Sequence, residues 1–264
     1  MPTASPYPTA LTIAGSDSGG GAGIQADLKT FLDHRVFGMS AITSVTSQNT
    51  QGVHRIDPVP VEGLEAQLAA VAADLPIGAI KIGMLGTAAH VLATARFLRG
   101  LSDRPPVVLD PVMVSSSGHR LLAPEAEEAL RTELLPLATV ITPNLPEVAV
   151  LSGAESLDQQ LGWASSQATA VLVTGGDATT ADVVDRLLRP GWPPRAWSSP
   201  RLGTRSFHGT GCTLSSAIAA RLAHGRELDD AIDGAIMYVQ ALIRTGVDLG
   251  SPGGGHPVLP HGLD

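Results

Sequence analysis

The stretch Ala-Leu-Thr-Ile-Ala-Gly-Ser-Asp at residues 10–17, with Gly-Gly-Gly-Ala-Gly at residues 19–23, decides the fold class of this chain. An apolar run that ends in glycines and a carboxylate predicts a buried strand followed by a tight turn. Ile24, Leu28 and Phe31 then recur at helical spacing. Strand, glycine turn and helix in this order predict the first half of a βαβ unit.

The same alternation of strand and helix continues through most of the chain. Further apolar segments typical of buried strands lie at residues 41–47, 79–82, 107–109, 140–141 and 171–173. Strands that are apolar at every position are covered on both faces, so the pattern predicts a mostly parallel sheet between two helical layers. We predict an α/β fold, a three-layer αβα sandwich, as a single domain over residues 1–264 with residues 1–8 as a flexible tail.

The pattern changes towards the C-terminal end of the chain. Strand-like pieces between residues 181 and 199 flank Gly-Trp-Pro-Pro at residues 191–194, which predicts an antiparallel hairpin. Apolar residues at helical spacing then predict two helices, one over residues 214–222 and one over residues 228–243.

Composition and charge exclude several classes of partner. The formal net charge is −8 and no basic cluster occurs, which argues against a nucleic-acid or acidic-membrane partner. The single cysteine cannot form an internal disulfide. No apolar run is long enough to span a membrane, and residues 1–8 lack the basic and apolar regions of a signal peptide. We expect a cytoplasmic protein that acts on a small molecule.

Polar residues and glycines follow each predicted strand. They are Gly15-Ser16-Asp17, Gln48-Asn49, Gly83, Asp110-Pro111, Thr142-Pro143-Asn144 and Thr174-Gly175-Gly176-Asp177. Each group alone is typical of any strand end. However, ligands of open α/β sheets bind outside the carboxyl ends of the strands. Together these residues therefore predict a binding cleft along one edge of the sheet.

The sharpest motif is His-Gly-Thr-Gly-Cys at residues 208–212, where a helix begins. Its glycines leave backbone N–H groups uncovered, and a helix start adds unpaired donors and a positive dipole end. Gly209, Thr210 and Gly211 therefore predict a cradle for the anion that develops during phosphoryl transfer. The motif differs from a Walker loop, because no Gly-x-x-x-x-Gly-Lys-Ser/Thr occurs in the sequence.

Cys212 closes this motif at the helix start. A helix dipole there is expected to lower the pKa of its thiol, which makes Cys212 a candidate to contact or activate an acceptor hydroxyl. The alternative interpretation is that the cysteine is a small buried apolar residue.

Asn144 and Glu147 lie one helical turn apart after the fifth strand. Magnesium prefers oxygen ligands and keeps several waters, so one carboxylate together with substrate phosphates suffices. We predict that Glu147 binds the metal and that Asp110, across the cleft, shares it. The alternative is that Glu147 is only a first-turn acid favoured by the helix dipole.

These motifs strongly resemble those of hydroxymethylpyrimidine/phosphomethylpyrimidine kinase, a family of the ribokinase-like superfamily. The resemblance rests on residues 10–17, 19–31, 48–50, 81–85, 110–113, 141–147 and 208–212. They occur in the family's order and spacing from Ala10 to about Leu249. Vitamin B6 kinases of the same superfamily share parts of the pattern.

The resemblance implies a ribokinase-like αβα fold, a homodimer, and the use of ATP and Mg²⁺. It also implies two successive phosphorylations in thiamine synthesis, of hydroxymethylpyrimidine and then of its monophosphate. The substrate ring would be bound by Gln48, Asp27, Gly15 and Val112.

The resemblance further assigns residues to the nucleotide and to the transfer step. ATP would be bound by Asn144, Thr174 and Gly176, and the metal by Glu147. The anion hole and acceptor site would be formed by residues 209–212.

Two departures from the family pattern bear on the binding of the nucleotide. The family commonly has Lys-Gly-Gly-His where this chain has Thr-Gly-Gly-Asp at residues 174–177, and it commonly has a small polar residue where this chain has Phe207. The lost lysine removes a positive charge expected near the ATP phosphates. We hypothesise that Arg201 or Arg205 replaces that charge.

Three functions remain open from the sequence. A pyrimidine kinase is favoured by Gln48 in its Gln-Asn-Thr setting. A pyridoxine or pyridoxal kinase would use the same anion hole on a similar flat ring. A catalytically silent ligand-binding protein is suggested by Thr174, whereas the intact motifs around Asn144 and Cys212 argue against it. Both kinase hypotheses require that Gln48 and the Gly211 amide face the same cleft.

Overall fold

The computed structural model describes residues 7–114, 120–178, 180–202, 207–250 and 254–263, whose strands form one nine-stranded sheet with helices on both faces. The strands are β1 (Thr9–Asp17), β2 (Phe37–Asn49), β3 (Gly52–Pro58), β4 (Ala79–Ile82), β5 (Val107–Leu109), β6 (Val140–Ile141), β7 (Ala170–Val173), β8 (Asp182–Leu188) and β9 (Arg195–Pro200).

Eight α-helices lie within these described ranges. They are α1 (Gly23–Asp33), α2 (Val61–Asp74), α3 (Ala88–Gly100), α4 (Pro124–Ala129), α5 (Leu145–Ser152), α6 (Leu157–Ser166), α7 (Thr210–Ala223) and α8 (Leu228–Arg244). Helix α4 continues into a π turn at Leu130–Leu134 and a 3₁₀ turn at Leu135–Leu137. None of the helices in the described part of the chain is both long and apolar enough to cross a bilayer.

The strand order is β3-β2-β1-β4-β5-β6-β7-β8-β9, and the six strands from β2 to β7 in this order are parallel. Antiparallel hairpin partners close both edges, β3 on β2 and the β8–β9 pair on β7. The chain moves from β1 to one side and then returns to β4 on the other side. A crevice for ligands forms at such a switch point, outside the carboxyl end of β1.

Two apolar cores cover the two faces of the sheet. Helices α2 to α6 pack on one face, and α1, α7 and α8 pack on the other. Helix α7 buries small side chains against the sheet, with Ser215, Ser216, Ala217, Ala219 and Ala220 all fully shielded from solvent. Small residues allow a helix to approach a sheet closely. The N-terminus of α7 is thereby held at the carboxyl ends of β1, β4 and β5.

The predicted αβα fold with a mostly parallel sheet is confirmed, as is the hairpin between residues 181 and 199. The shared sheet supports our proposal that the chain forms one domain. Strand β3 was not predicted, because it has no fully buried position that would mark it in the sequence. Of the predicted flexible tail, residues 1–6 lie outside the described residues, and the Pro8 carbonyl accepts a hydrogen bond from Phe37 N.

Candidate active site

A cleft of about 600 Å³ lies at the carboxyl ends of the parallel strands. Of the thirteen residues assigned above to the ring, the nucleotide, the metal or the transfer step, all except Asp27 line it, namely Gly15, Gln48, Asp110, Val112, Asn144, Glu147, Thr174, Gly176, Gly209, Thr210, Gly211 and Cys212. Gln48 and Gly211 therefore line the same cleft, as both kinase hypotheses require. Because carboxyl ends of parallel strands meet at one edge, residues far apart in sequence converge there.

Gln48 reaches the cleft through a β-bulge. The register between β2 and β3 shifts between Ser47 and Gln48. The hydroxyl of Ser18 then fixes the Gln48 backbone, donating to its carbonyl at 2.7 Å and accepting from its N–H at 2.9 Å. Bulges re-aim side chains, and Gln48 lines the wall of the cleft.

The start of α7 forms the predicted anion cradle. Gly209 is its N-cap with φ 85°, and it offers no side chain to cap the first turn. A Cβ at this position would overlap the carbonyl oxygen of Gly21, so only glycine fits. The unpaired amides of a first helical turn bind anions, and here Thr210 and Gly211 line the cleft.

The thiol of Cys212 does not have the lowered pKa that its position predicts. Burial raises the pKa of Cys212 to about 12, and the nearby carboxylates of Asp27 and Asp110 add to the effect. The positive charge of Lys81 opposes them only in part. The prediction that the helix dipole lowers the Cys212 pKa was wrong, because desolvation outweighs the dipole. The thiol is therefore protonated at neutral pH.

Asp27 is the predicted site residue that the structure places elsewhere. Its carboxylate is fully buried behind the cleft wall. Lys81 Nζ lies 2.9 Å from each of its oxygens, and the hydroxyls of Thr12 and Ser216 each donate to it at 2.6 Å. These four bonds tie the Asp27 carboxylate to Lys81 and its neighbours, and the assignment of Asp27 to the substrate ring stays a prediction.

Lys81 is a cleft residue that the sequence analysis missed. Burial alone would lower its pKa, but Asp27, Cys212 and Asp110 raise it, so the side chain carries its charge beneath the site. Gly83 leaves the space that Nζ needs, since a Cβ there would lie 2.7 Å from it. The available signal was a lysine inside the otherwise apolar strand Ala79–Ile82, because a buried lysine requires a charged partner.

Asn144 and Glu147 form a capping box at the start of α5. Asn144 Oδ1 accepts from Glu147 N at 2.8 Å, and Glu147 Oε2 accepts from Asn144 N at 2.9 Å. Glu147 Oε1 also accepts from Met113 N at 3.3 Å. Glu147 is therefore a first-turn acid that caps the helix, and the same residue also lines the cleft.

Two buried carboxyl groups face each other in this part of the cleft. Burial, followed by the negative charge of Asp110, raises the pKa of Glu147 to about 8. Burial also raises the pKa of Asp110 to about 6, although Lys81 and a hydrogen bond from Ser215 oppose the rise. In both groups burial is the largest cause of the rise, because it disfavours the charged form of a carboxyl group. Within the described ranges, no group of three or more His, Cys, Asp or Glu could hold a metal by itself.

A second cavity of about 410 Å³ adjoins the cleft. Its walls include the apolar side chains of Phe207, Ile236, Val239 and Ile243. It shares Thr174, Gly176, Asp177, Thr210 and Gly211 with the cleft. An elongated ligand can therefore occupy both cavities, with its apolar end between β9 and α8 and its polar end at the start of α7.

Arg201 anchors the loop that separates the two cavities. Its guanidinium donates to the carbonyls of Gly176 at 2.9 Å and Thr180 at 3.0 Å, and also to that of Ala178. It lines the second cavity, where a positive charge would face a nucleotide. Arg205, the other predicted replacement for the lost lysine, lies outside the described residues.

Asp17 and His208 join the two glycine loops. The buried Asp17 carboxylate accepts from the amides of Gly19, Gly21 and Ala22 and from His208 Nε2 at 2.9 Å. Burial would raise the Asp17 pKa, but the His208 contact and the amides lower it below its ordinary value. The loop after β1 and the loop before α7 are therefore fixed to each other.

Comparison with known proteins places this site in context. The family model described as phosphomethylpyrimidine kinase matches residues 17–257. The hydroxymethylpyrimidine/phosphomethylpyrimidine kinase of Rhizobium meliloti strain 1021 is 48% identical over 241 residues, covering 89% of this chain and 90% of that protein.

Solved structures also resemble the whole chain. An ADP complex of Bacillus subtilis pyridoxal kinase has a TM-score of 0.83 and 37% identity, covering 97% of this chain and 98% of that one. The phosphomethylpyrimidine kinase of Clostridium difficile 630 has a TM-score of 0.75 and 38% identity, covering 89% of this chain and 99% of that one.

Proposed function

We propose the function of this chain from the premise that it belongs to the phosphomethylpyrimidine kinase family. The chain is a phosphotransferase. It transfers a phosphoryl group from ATP to the hydroxymethyl group of 4-amino-5-hydroxymethyl-2-methylpyrimidine, and then a second one to the monophosphate so formed. Both reactions belong to thiamine diphosphate biosynthesis.

The observation that carries this proposal is that one cleft contains both Gln48 and the amides at the start of α7. A side-chain amide offers a donor and an acceptor, which matches an amino group beside a ring nitrogen. The amides of Thr210 and Gly211 suit the charge on a phosphoryl group in transit. A ring held at Gln48 would therefore present its hydroxymethyl group to the anion cradle, with Val112 and the Gly15 backbone beside it.

The second cavity suits the nucleoside of ATP. Its apolar walls would enclose the adenine, and the phosphates would extend past Thr174 and Gly176 towards Thr210 and Gly211. The capping box uses the Asn144 side-chain oxygen, which leaves its NH₂ group for a phosphate oxygen. The ADP complex of the Bacillus subtilis pyridoxal kinase supports nucleotide binding by this fold.

The carboxyl groups of Asp110 and Glu147 fit a magnesium ion. They offer the oxygen ligands that Mg²⁺ prefers, and burial raises the pKa of both groups, a rise that a bound cation would oppose. Phosphate oxygens and water would complete the shell, because two carboxylates do not fill it. When bound, the ion would neutralise charge on the phosphates.

The role of Cys212 is to contact the acceptor hydroxyl. Its thiol is protonated at neutral pH, so it does not rest as a thiolate base. Phosphoryl transfer passes through a loose transition state that needs little removal of the proton beforehand. Positioning of the hydroxyl by Cys212, with the charge of Lys81 beneath it, is therefore sufficient.

The test offers purified protein ATP and Mg²⁺ with hydroxymethylpyrimidine or with pyridoxal, and follows ADP release and product masses. Mono- and diphosphorylated pyrimidine is the expected result. Gln48→Leu should raise the KM for the pyrimidine, whereas Gln51→Leu at the exposed hairpin turn should leave it unchanged. Turnover of pyridoxal alone would establish the alternative that the pyridoxal kinase structures favour. Binding without ADP release would establish a silent binding protein.

We also propose that the protein is a homodimer and works in the cytoplasm. The family resemblance supports the first statement, and the composition with its single cysteine supports the second. Light scattering coupled to size-exclusion chromatography tests the oligomeric state, where a mass near 27.1 kDa would identify a monomer instead.

A further inference from the structure

Residues 254–263 form a strap that crosses from the end of β2 to the loop before α7. His256 N donates to the Thr50 carbonyl at 2.9 Å, two residues beyond Gln48. His208 N donates to the Pro257 carbonyl at 3.1 Å, directly before Gly209. The strap therefore contacts both the side of the cleft assigned to the ring and the side assigned to the phosphoryl group.

The strap is closely packed against the molecule. A Cβ on Gly255 would overlap the Thr50 hydroxyl, so the backbones approach as closely as glycine permits. Leu259 and His261 are only 5% and 7% exposed. A histidine buried to this extent at the end of a surface segment requires a polar partner.

That partner is Thr213 in the first turn of α7. His261 Nε2 lies 3.0 Å from Thr213 Oγ1, which lies 2.8 Å from the Gly209 carbonyl oxygen. A carbonyl only accepts, so the threonine hydroxyl donates its single proton to Gly209 and accepts from Nε2–H of His261. Burial lowers the pKa of His261 and so favours the neutral ring, although the Asp33 carboxylate and the Leu259 carbonyl oppose this effect.

The Gly209 carbonyl controls the direction of a catalytic amide. The Gly209 C=O and the Thr210 N–H belong to one planar trans peptide, in which they point in opposite directions. The carbonyl is held from the helix side by Thr213 N at 2.9 Å as well as by its hydroxyl. The Thr210 N–H is therefore directed away from the helix, on the side of the cleft that Thr210 lines.

We propose that His261 is a positioning residue for phosphoryl transfer, which acts through Thr213 to orient the Gly209–Thr210 peptide towards the transferred group. The proposal rests on the kinase function proposed above. In this proposal the strap affects turnover through the hydrogen-bond donor at His261 Nε2. Packing of the strap against the molecule would not by itself have that effect.

The test compares variants that keep or remove one hydrogen-bonding group. His261→Leu and Thr213→Val remove the link, whereas His261→Gln keeps an N–H donor and Thr213→Ser keeps the hydroxyl. Thr132→Val is the matched control, because Thr132 makes the same bond to the carbonyl four residues earlier, at Glu128, but lies outside the cleft. The kcat and KM of each variant are measured with ATP and the pyrimidine, together with its melting temperature.

We expect His261→Leu and Thr213→Val to lower kcat by about 10- to 100-fold. This loss is smaller than the cost of about 100- to 1000-fold for removing an oxyanion-hole donor, because the Thr210 amide is misdirected but still present. The KM values should stay within about twofold, and the Gln, Ser and Thr132 variants should stay close to the unchanged protein. Because both residues act through one link, the double variant should lose no more than the worse single variant. Full kcat in His261→Leu, or equal losses in His261→Leu and His261→Gln, would overturn the proposal.

A second readout separates this proposal from the kinase function. The Thr210 amide resonance and its hydrogen-exchange rate report the peptide directly. They should change in His261→Leu and Thr213→Val and stay unchanged in His261→Gln and Thr213→Ser. An unchanged Thr210 signal in all four variants would overturn the positioning role. Absence of product from the unchanged protein would instead contradict the proposed kinase function, and the Thr210 signal would still decide the role of His261.

Discussion

Lys81 Nζ lies 2.9 Å from both carboxylate oxygens of Asp27, and both side chains are fully shielded from solvent. The pair lies between α1 and β4, directly behind the wall of the cleft. Desolvation of two charges is costly, and removal of either partner would leave the other as an uncompensated buried charge. Its position beneath Cys212 and Asp110 indicates that it sets the charge of the site.

Asp27→Asn should lower the free energy of unfolding by about 3–5 kcal/mol, because it leaves the Lys81 charge buried without its partner. The double variant Asp27→Leu with Lys81→Met should lose less, since it removes both charges. Urea unfolding measures both. Glu65→Gln, which breaks the exposed pair with Arg96, is the control and should cost under about 1 kcal/mol. Equal losses in the control and in Asp27→Asn would contradict the prediction.

Cys212 should react slowly with iodoacetamide at neutral pH, because its raised pKa keeps it as the thiol. The rate should still be rising at pH 10, as the folded-state pKa of about 12 requires. Mass spectrometry follows the modification cleanly, since this is the single cysteine of the chain. The control carries Cys212→Ala with Ser165→Cys, whose thiol is exposed. A plateau near pH 8 for Cys212 itself would show that its pKa is not raised.

Cys212→Ala should lower kcat by about 10- to 100-fold, because loss of the thiol misplaces the acceptor hydroxyl and a misplacement of about 1 Å can cost up to about 100-fold. The KM for the pyrimidine should change by no more than about twofold, because the thiol contacts the reacting hydroxyl rather than the ring. Steady-state kinetics separate the two effects. Unchanged turnover in this variant would remove Cys212 from the mechanism.

Glu147→Gln should change how stability depends on pH. The folded-state pKa of Glu147 is raised to about 8 from an ordinary value of 4.5, so the folded protein binds more protons than the unfolded chain between these values. The free energy of unfolding of the protein without metal should therefore fall as pH rises from about 4.5 to 8. The glutamine variant should show a shallower fall, measured by urea unfolding at several pH values.

The matched control for this prediction is Glu125→Gln. Glu125 also follows a proline in the first turn of a helix, at Pro124 in α4, but it is exposed. Its variant should follow the original pH curve. If Glu147→Gln also follows that curve at every pH, Glu147 does not titrate in the expected window.

Arg201→Ala should raise the KM for ATP by about tenfold, which corresponds to about 1.4 kcal/mol of lost binding. The variant loses a positive charge and frees the loop carbonyls of Gly176 and Ala178. The KM for the pyrimidine should stay within about twofold. Arg131→Ala, on the far helix layer, is the control. An unchanged KM for ATP would show that Arg201 does not replace the missing lysine of the family pattern.

Much of the fold follows from local sequence patterns. The predicted bounds of β4, β5 and β6 match the structure because these strands are apolar except at Lys81, are buried at every position, and are flanked by glycine, proline or polar residues. Strand β2 extends beyond its predicted range, since its ends are partly exposed and carry no apolar signal. The hairpin partner β3 depends on pairing with β2 rather than on its own composition.

The candidate site was predictable where it depends on strand ends and not where it depends on long-range pairing. Asp27 lies three residues after Ile24 and four before Phe31, which places it on the buried face of α1. That spacing, together with a lysine in an apolar strand, was the overlooked signal for their contact. No local pattern could join His261 to Thr213, because 48 residues separate them. The pKa of Cys212 likewise depends on burial that only the assembled site creates.

The small side chains beneath α7 set how this protein can change over evolutionary time. Even one added methylene at Ala217 or Ala219 would move helix α7 away from β1 and β4. Because a helix moves as a rigid body, Thr210 at its N-terminus would move with it. A shift too small to unfold the molecule would still misalign the amides on which transfer depends. The same substitution would also cost about 1–3 kcal/mol of stability, so natural selection would act on these core alanines through both turnover and stability.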